Sequence, residues 1–260
     1  MQFFVDIFNI FKNYWNYLLL GVANTMLIAL VGTVAGLLIG LLIGVLRTTP
    51  TPASPLLRAL RRVAIGIFTA YIEIFRGTPM MVQAMVIYWG YAFATGVNTL
   101  PLLGAGMFIV SVNTGAYMAE IVRGGILSLD RGQAEGAAAV GMTHTQTMVH
   151  VVLPQVLRNI LPSVSNEFVI NIKDTSVLNV IGVAELYYYA AVIKRFNLQI
   201  FQNYVVVCLL YFLMTFAVTR LLRLCEKKLA GKDSYTVFGS QSDPDAEIHI
   251  VKNREELTND

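Results

Sequence analysis

Several ionisable and amide side chains cluster within one otherwise apolar stretch near residue 170. Glu167, Asn171 and Asp174 follow the spacing i, i+4, i+7, so they share one face of a helix. Lys173 and Ser176 lie on the two flanks of that face. Together these residues present one cation, two potential anions and several hydrogen-bonding groups, which complement the ammonium and carboxylate groups of a free amino acid. We therefore predict that Lys173 binds a solute carboxylate and that Asp174 binds a solute ammonium group.

The expected depth of these charges supports a functional role. Ionisable groups inside a bilayer are energetically costly and are functional candidates by default. A spanning helix that begins near Arg158 would carry Lys173 about 22 Å along its axis, close to the middle of the bilayer. Alternatively, Lys173 and Asp174 neutralise charged residues on neighbouring helices, such as Glu73 or Arg76, and never contact solute.

A second polar group surrounds residues 77–79, where the sequence Gly-Thr-Pro interrupts an apolar segment. Proline disfavours helical geometry in the residue before it, so this segment is predicted to be one broken or kinked helix, with a short re-entrant pair as the less favoured alternative. Glu73 and Arg76 lie at i and i+3 and can pair. Broken helices within a membrane are buried in protein or line a wet cavity, so Thr78 and Gln83 are further candidate solute contacts. The break could equally serve only to shape the helix bundle.

The composition determines the class of protein that must position these residues. Of 260 residues, 56% are hydrophobic and only 13% are charged, and the mean hydropathy is +0.62. An average soluble domain is about one quarter charged. This composition excludes an ordinary soluble enzyme and a disordered chain. The net charge of +3, with basic residues scattered along the chain, argues against a nucleic-acid-binding module.

Five apolar segments are long enough to cross a bilayer of about 30 Å. They run over 18–46, 63–93, 102–121, 160–181 and 200–220. The sequence therefore predicts an all-α membrane protein with five transmembrane helices. We divide it into an external amino-terminal segment (1–17), a transmembrane domain (18–228) and a hydrophilic cytoplasmic tail (229–260) that is expected to be disordered.

Basic residues predict the orientation. With the amino terminus outside and the carboxyl terminus in the cytoplasm, 14 lysine and arginine residues fall on the cytoplasmic side and 3 on the outside. This distribution follows the positive-inside rule.

The loop from 132 to 155 carries the most specific pattern in the chain. Its candidate docking residues are Glu135, Ala137, Ala138, Gly141, Leu153 and Pro154. The alanines favour a thin helix that a partner can approach closely, and a glycine ends such a helix by adopting left-handed geometry. This pattern resembles the cytoplasmic loop of permease subunits in bacterial ATP-binding-cassette (ABC) importers. An amphipathic helix lying on the membrane surface is the less specific alternative.

Three other stretches strengthen the resemblance. They are residues 76–79 (Arg-Gly-Thr-Pro), 119–126 (Ala-Glu-Ile-Val-Arg-Gly-Gly-Ile) and 172–176 (Ile-Lys-Asp-Thr-Ser). Together they are similar to the polar amino acid permease group, over about residues 15–228. The resemblance implies a type I importer permease whose coupling helix lies at about 128–150, in the bacterial cytoplasmic membrane.

The resemblance also implies the partners of the chain. Separate ATPase subunits would grip the coupling loop and consume the ATP, an extracytoplasmic binding protein would deliver a polar amino acid, and an identical or related permease subunit would complete the pathway. No Gly-x-x-x-x-Gly-Lys-Ser/Thr motif occurs in the sequence. We therefore expect no ATP site and no cofactor in this chain.

Other classes of function are less well supported. His144 and His150 have no accompanying cysteine or carboxylate set that would suggest a metal site, and no nucleophile–base pattern suggests a catalytic site. A passive channel or secondary carrier that uses Lys173 and Asp174 as a gate or proton relay is the main alternative. The docking loop favours the ATP-driven importer, because a self-contained carrier does not need one.

Overall fold

Helices form the regular structure of residues 2–96 and 100–229, which are the residues that this computed structural model describes. The α-helices are α1 (Gln2–Thr48), α2 (Pro55–Gly77), α3 (Met80–Thr95), α4 (Leu102–Leu127), α5 (Arg131–Ala139), α6 (His144–Thr147), α7 (Leu153–Asp174), α8 (Leu186–Asn197) and α9 (Ile200–Leu229). A π-helical turn (Met148–Val152) precedes α7, and 3-10 turns (Thr175–Ile181) follow it. The hydrophilic tail predicted at 229–260 lies, beyond Leu229, outside the described residues.

A stripe of glycines on α1 packs against α4 and forms the main helix pair of the bundle. The glycines recur every fourth residue at 32, 36, 40 and 44, and α4 meets them with Val110, Thr114, Met118 and Val122, also spaced by four. A Cβ atom on Gly40 would lie 2.4 Å from the Met118 Cβ and 2.7 Å from the Met118 carbonyl carbon. Small residues at this spacing let two helix backbones approach closely in a membrane.

Helix α1 begins earlier than the first predicted span. It starts at Gln2 rather than at Leu18, and a kink at Tyr14, whose backbone is not helical (φ −122°, ψ 16°), divides it into two helical segments. Ile10, which is 2% exposed, packs in the same core cluster as Leu186 and Ile193 of α8. The segment before Leu18 therefore belongs to the packed bundle.

The break predicted at residues 77–79 is confirmed. Helix α2 ends at Gly77 and α3 begins at Met80, while Thr78 has an extended backbone (φ −125°, ψ 149°). Extended geometry is what the following Pro79 favours. Helix α2 begins at Pro55, eight residues before the expected Val63.

Three helices of the described chain are long and apolar enough to cross a membrane individually: α1, α4 and α9. A fourth candidate span is formed by residues 144–181 together with α8, which meet at a bend of 55°. The predicted fifth span requires α2 and α3 to cross as one broken segment.

The helix that carries the fourth predicted span begins earlier than its apolar run. We expected a helix over 160–181, but α7 runs from Leu153 to Asp174 and then tightens into 3-10 turns. Lys173 is consequently the penultimate residue of α7 and lies about 30 Å from its start, compared with about 22 Å for a helix that begins near Arg158. Proline is tolerated in the first helical turn, so Pro154 allows α7 to begin well before the apolar run. Helix α8 was not predicted, since it is only 12 residues long.

Candidate functional site

A cleft of about 490 Å³ opens where α2 ends beside α4. It is lined by Glu73, Arg76 and Gly77 from α2 and by Tyr117 from α4. The guanidinium carbon of Arg76 lies 5.6 Å from the centroid of the Tyr117 ring, a distance typical of a cation–π contact. Arg76 thus rests on the aromatic wall of the cleft with its donors available to a ligand.

Two carboxylates of α7 lie within electrostatic range of this cleft, although neither lines it. Glu167, Asp174 and Arg76 all act electrostatically on Tyr117. Glu167 is only 4% exposed, whereas Asp174 is half-buried. We call Glu73, Arg76, Tyr117, Glu167 and Asp174 the Tyr117 cluster. It combines one guanidinium, three carboxylates and an aromatic face, which together can bind a small zwitterion.

The predicted ion pairs around this site do not form. Among the side chains that the structure describes within residues 2–226, the ion pairs are Arg47–Glu120 and Arg123–Glu120. Arg76 therefore does not pair with Glu73, although their spacing would allow it. Lys173 and Asp174 likewise form no ion pair with either residue of α2.

The other predicted contacts on and after α7 are distributed differently. Lys173 is exposed, with Asp174 as a charged neighbour. Ser176 is half-buried in the 3-10 turns that follow α7. The structure thus brings Glu167 and Asp174 to the Tyr117 cluster and leaves Lys173 on an exposed flank, as its spacing suggested.

Asn171 joins three helices. Its amide nitrogen donates to the Thr33 hydroxyl of α1 at 2.8 Å, and its amide oxygen accepts from the Thr114 hydroxyl of α4 at 3.0 Å. The side chain is 3% exposed. These contacts hold α7 against the α1–α4 pair, so the amide that we predicted as a solute contact has structural partners on both of its polar atoms.

Gln83 satisfies the backbone at the α2–α3 break. Its amide nitrogen donates to the Phe75 carbonyl oxygen and to the Thr78 carbonyl and hydroxyl oxygens, at 2.8 to 2.9 Å. Its amide oxygen accepts from Asn113 of α4 at 2.8 Å. The Thr78 hydroxyl donates to the Ile74 carbonyl oxygen at 2.7 Å. Gln83 and Thr78 therefore stabilise the break that positions Arg76 at the cleft.

The loop from 132 to 155 presents a short helix at its tip. Helix α5 is capped at its start by Asp130, whose carboxylate accepts from the Gly132 amide at 2.8 Å. At its end, the Gly141 amide donates to the Ala138 carbonyl oxygen and the Met142 amide donates to the Ala137 carbonyl oxygen. This pair of bonds is a Schellman motif, and it requires the positive φ of 82° that Gly141 adopts.

The predicted docking residues divide between the exposed surface and the base of this loop. The exposed residues are Glu135, Ala138, Gly141 and Pro154. Ala137 lies on the buried face of α5, and Leu153 is half-buried where α7 begins. The exposed members form a surface that a partner protein can reach. The glycine turn predicted at 141 is therefore present.

Gly141→Val is expected to strain the turn that ends α5. A β-branched residue at φ 82° costs roughly 1 to 3 kcal/mol, and no heavy atom lies within 4 Å of the Cβ position to add a clash. We expect Gly141→Val to insert in the membrane normally but to weaken co-purification of the ATPase subunits that the resemblance implies and to lower the uptake that they would drive. Gly141→Asn is the matched control, because asparagine tolerates left-handed geometry. Wild-type co-purification and uptake in Gly141→Val would contradict a coupling role for this turn.

A cluster of charged residues joins α1 to α4 near this loop. Glu120 accepts hydrogen bonds from Arg47 through one carboxylate oxygen and from Arg123, at 2.8 and 3.0 Å, through the other. Sequence reasoning noted Glu120 and Arg123 only as part of a motif, and nothing local linked them to Arg47, which lies 73 residues away.

Comparison with known proteins agrees with this arrangement. The family model described as "Binding-protein-dependent transport system inner membrane component" matches residues 51–231, more than half of the chain. The glutamine transport system permease protein GlnP of Escherichia coli K12 is 35% identical over 167 residues, covering 64% of this chain and 76% of GlnP. The L-cystine transport system permease protein TcyB of Bacillus subtilis is 33% identical over 219 residues, covering 84% of this chain and 88% of TcyB.

Solved structures show the same fold. A crystal structure of an amino acid ABC transporter with histidines aligns with a TM-score of 0.71 and 33% identity, covering 84% of this chain and 96% of that chain. The inward-facing MetNI methionine ABC transporter aligns with a TM-score of 0.63 and 21% identity, covering 82% of this chain and 98% of that chain, which supports the fold alone. The chain therefore belongs to the family of binding-protein-dependent transport system inner membrane components and has the all-α fold of a type I ABC importer permease.

Proposed function

We propose that this chain is the transmembrane subunit of an ATP-driven importer and that its solute is a polar amino acid. The observation that carries the proposal is the Tyr117 cluster, in which Arg76, Glu73 and Tyr117 line one cleft and the carboxylates of Glu167 and Asp174 act on it electrostatically. Relatives named for glutamine and cystine transport support the same class of solute. The comparisons do not favour a passive channel or secondary carrier.

In this proposal, Arg76 binds the solute carboxylate. Its planar guanidinium can donate two parallel hydrogen bonds to a carboxylate, which an ammonium group cannot do. Asp174, with Glu167 behind it, binds the solute ammonium group, while the Tyr117 ring contacts the cationic end or the aliphatic part of the solute. Lys173 then interacts with the solute only from the rim.

The partners follow from the exposed loop and from the family. We propose that ATPase subunits contact the exposed residues of α5 and Gly141, that a second permease subunit closes the pathway, and that an extracytoplasmic binding protein delivers the solute. The ATP is used by the partner subunits, and this chain has no enzymatic activity of its own.

Uptake by the reconstituted complex tests the proposal. The complex of this chain with its ATPase subunits and binding protein would be placed in vesicles and supplied with a panel of radiolabelled amino acids. We expect uptake that requires ATP on the side of the membrane where the ATPase subunits lie and that discriminates among amino acids. Solute flux that is independent of ATP would support the channel or carrier instead.

The membrane orientation can be tested by cysteine labelling. In a background in which Cys208 and Cys225 are replaced by serine, we expect Phe3→Cys to react with an impermeant reagent added outside the cell. Ser240→Cys should react only after the membrane is permeabilised, because the excess of basic residues keeps that end inside. Labelling of both positions from the same side would contradict an odd number of spans.

A further inference from the structure

Helix α2 has an apolar stripe along one side. Leu56, Leu60, Val63, Ile67 and Ile74 recur at spacings that place them within an arc of about 60° on a helix of 3.6 residues per turn. All five side chains are more than half exposed, at 58% to 70%. The stripe continues from the amino-terminal turn of α2 into the part of the helix that packs beside α4.

The opposite side of the same turns is basic. Arg58 lies about 170° from the centre of the stripe, and Arg61 and Arg62 each lie about 130° from it, one on either side. No aspartate or glutamate occurs between Arg47 and Glu73, so this surface has no acidic residue of its own segment to balance it. The Arg61 guanidinium donates to the Thr49 carbonyl oxygen at 2.6 Å and the Arg58 guanidinium donates to the Ala53 carbonyl oxygen at 3.3 Å, and both Arg58 and Arg62 are exposed.

This helix start lies at one end of the bundle. The bond from Arg61 to Thr49 places it beside the carboxyl-terminal end of α1, whereas α8 contacts the amino-terminal half of α1 through Tyr17 and Tyr189. Only the first turns of the stripe lie at the end of the bundle where α1 and α4 end, and we place this end at the depth of the lipid headgroups.

We propose that the start of α2 is a binding site for anionic phospholipid. The apolar stripe contacts the acyl chains, and Arg58 and Arg62 contact the phosphate groups. A basic amphipathic helix with one apolar face lies in the membrane interface and attracts anionic headgroups. The proposal concerns lipid and does not depend on which solute the transporter carries.

Quenching of one tryptophan by brominated lipids tests the proposal. The purified complex would carry Leu60→Trp as its reporter, with the exposed Trp15 and Trp89 of this chain replaced by phenylalanine and the partner subunits made free of tryptophan. It would be reconstituted with phosphatidylcholine or phosphatidylglycerol brominated on the acyl chains. The ratio of quenching by the two lipids gives the relative affinity of the site. We expect a preference for phosphatidylglycerol of at least about fivefold, because that is the gain in affinity for an anionic surface that a single nearby arginine provides.

Two pairs of substitutions distinguish a specific site from general charge attraction. Arg58→Gln with Arg62→Gln should bring the preference close to one. The matched control, Lys194→Gln with Arg195→Gln, removes the same charge at the other end of the bundle and should leave the preference unchanged. Raising the salt to about 1 M, where the Debye length is only about 3 Å, should weaken the preference in the unsubstituted chain.

Three results would overturn the proposal. Equal quenching by both lipids would show no selectivity, and a preference that survives loss of Arg58 and Arg62 would place the selectivity elsewhere. Absence of quenching by either lipid would show that a protein partner covers the stripe. If Leu60→Trp does not assemble, Leu56→Trp reports on the same face and is 70% exposed in the unsubstituted chain.

Discussion

Gly40→Leu is expected to prevent stable packing of α1 against α4 and thereby to cause the largest loss of folded protein. A Cβ atom at this position would lie 2.4 Å from the Met118 Cβ, 2.7 Å from the Met118 carbonyl carbon and 2.8 Å from the Ala119 amide nitrogen. Two of these three atoms belong to the backbone of α4. A change of side-chain rotamer therefore cannot relieve the clash, and the helices must separate.

Separation would also disturb interactions along the rest of the pair. The same stripe places Gly36 and Gly44 against α4, and the Asn171 amide joins α7 to both helices. Overpacking of a well-packed core typically costs about 1 to 3 kcal/mol. Because Gly40 faces backbone atoms, we expect the free energy of unfolding to fall by roughly 3 kcal/mol or more.

The measurement is unfolding of the purified chain in mild detergent, together with the yield of assembled complex. Gly90→Leu is the matched control, because Gly90 is an exposed helical glycine with no heavy atom within 4 Å of its Cβ position. We expect Gly90→Leu to unfold like the unsubstituted chain. Equal stability of the two variants would show that close approach of α1 and α4 is not required for folding.

Arg76→Met is expected to remove uptake while leaving the transporter assembled. Arg76 is exposed at the cleft and rests on Tyr117. Methionine keeps much of the side-chain length but has no hydrogen-bond donor, so a bound carboxylate would lose its charged partner. A hydrogen bond to a charged group contributes about 1.5 to 3 kcal/mol, which corresponds to roughly a 10-fold to 150-fold loss of solute affinity. Arg76→Lys should recover only part of this loss, since lysine cannot form two parallel bonds.

Substitutions on α7 separate the two assignments of the carboxylate partner. Asp174→Asn is expected to lower uptake by a similar factor, because the carboxylate belongs to the Tyr117 cluster. Lys173→Met should have a smaller effect than Arg76→Met, because Lys173 is exposed at the end of α7. The measurements are ATP-driven uptake against solute concentration and basal ATP hydrolysis by the same vesicles. A larger loss for Lys173→Met would restore the assignment that the sequence alone suggested, and loss of assembly in Arg76→Met would indicate a structural role.

Features that depend on short-range backbone chemistry could be predicted from the sequence. Proline restricts the residue before it, so the position of the break between α2 and α3 follows from Thr78 and Pro79. Gly141 follows a run of alanines, and only a residue that tolerates positive φ can close that helix as observed. The membrane character follows from composition, and the family resemblance follows from motifs each shorter than 25 residues.

The ends of the helices were harder to predict from the sequence, because apolar runs do not begin and end where helices do. The run near Ile160 indicated where α7 is hydrophobic, but hydrogen bonding extends the helix back to Leu153. Helix α8 is too short to be recognised by length, and its position after the bend depends on contacts with α1. The periodic glycines of α1 were visible in the sequence, but their partner helix was not.

The arrangement of the site was decided by tertiary structure alone. Arg76 and Tyr117 are 41 residues apart, and Asn171 meets Thr114 and Thr33 across 57 and 138 residues. Helical spacing reports which residues share a face, but it does not report what that face meets. The sequence therefore determined that charged and amide groups lie within the membrane domain. Helix packing determined which of these groups hold the bundle together and which lie at the cleft. Asn171 and Gln83 belong to the first set, because a buried amide forms hydrogen bonds with whichever polar group the neighbouring helix presents.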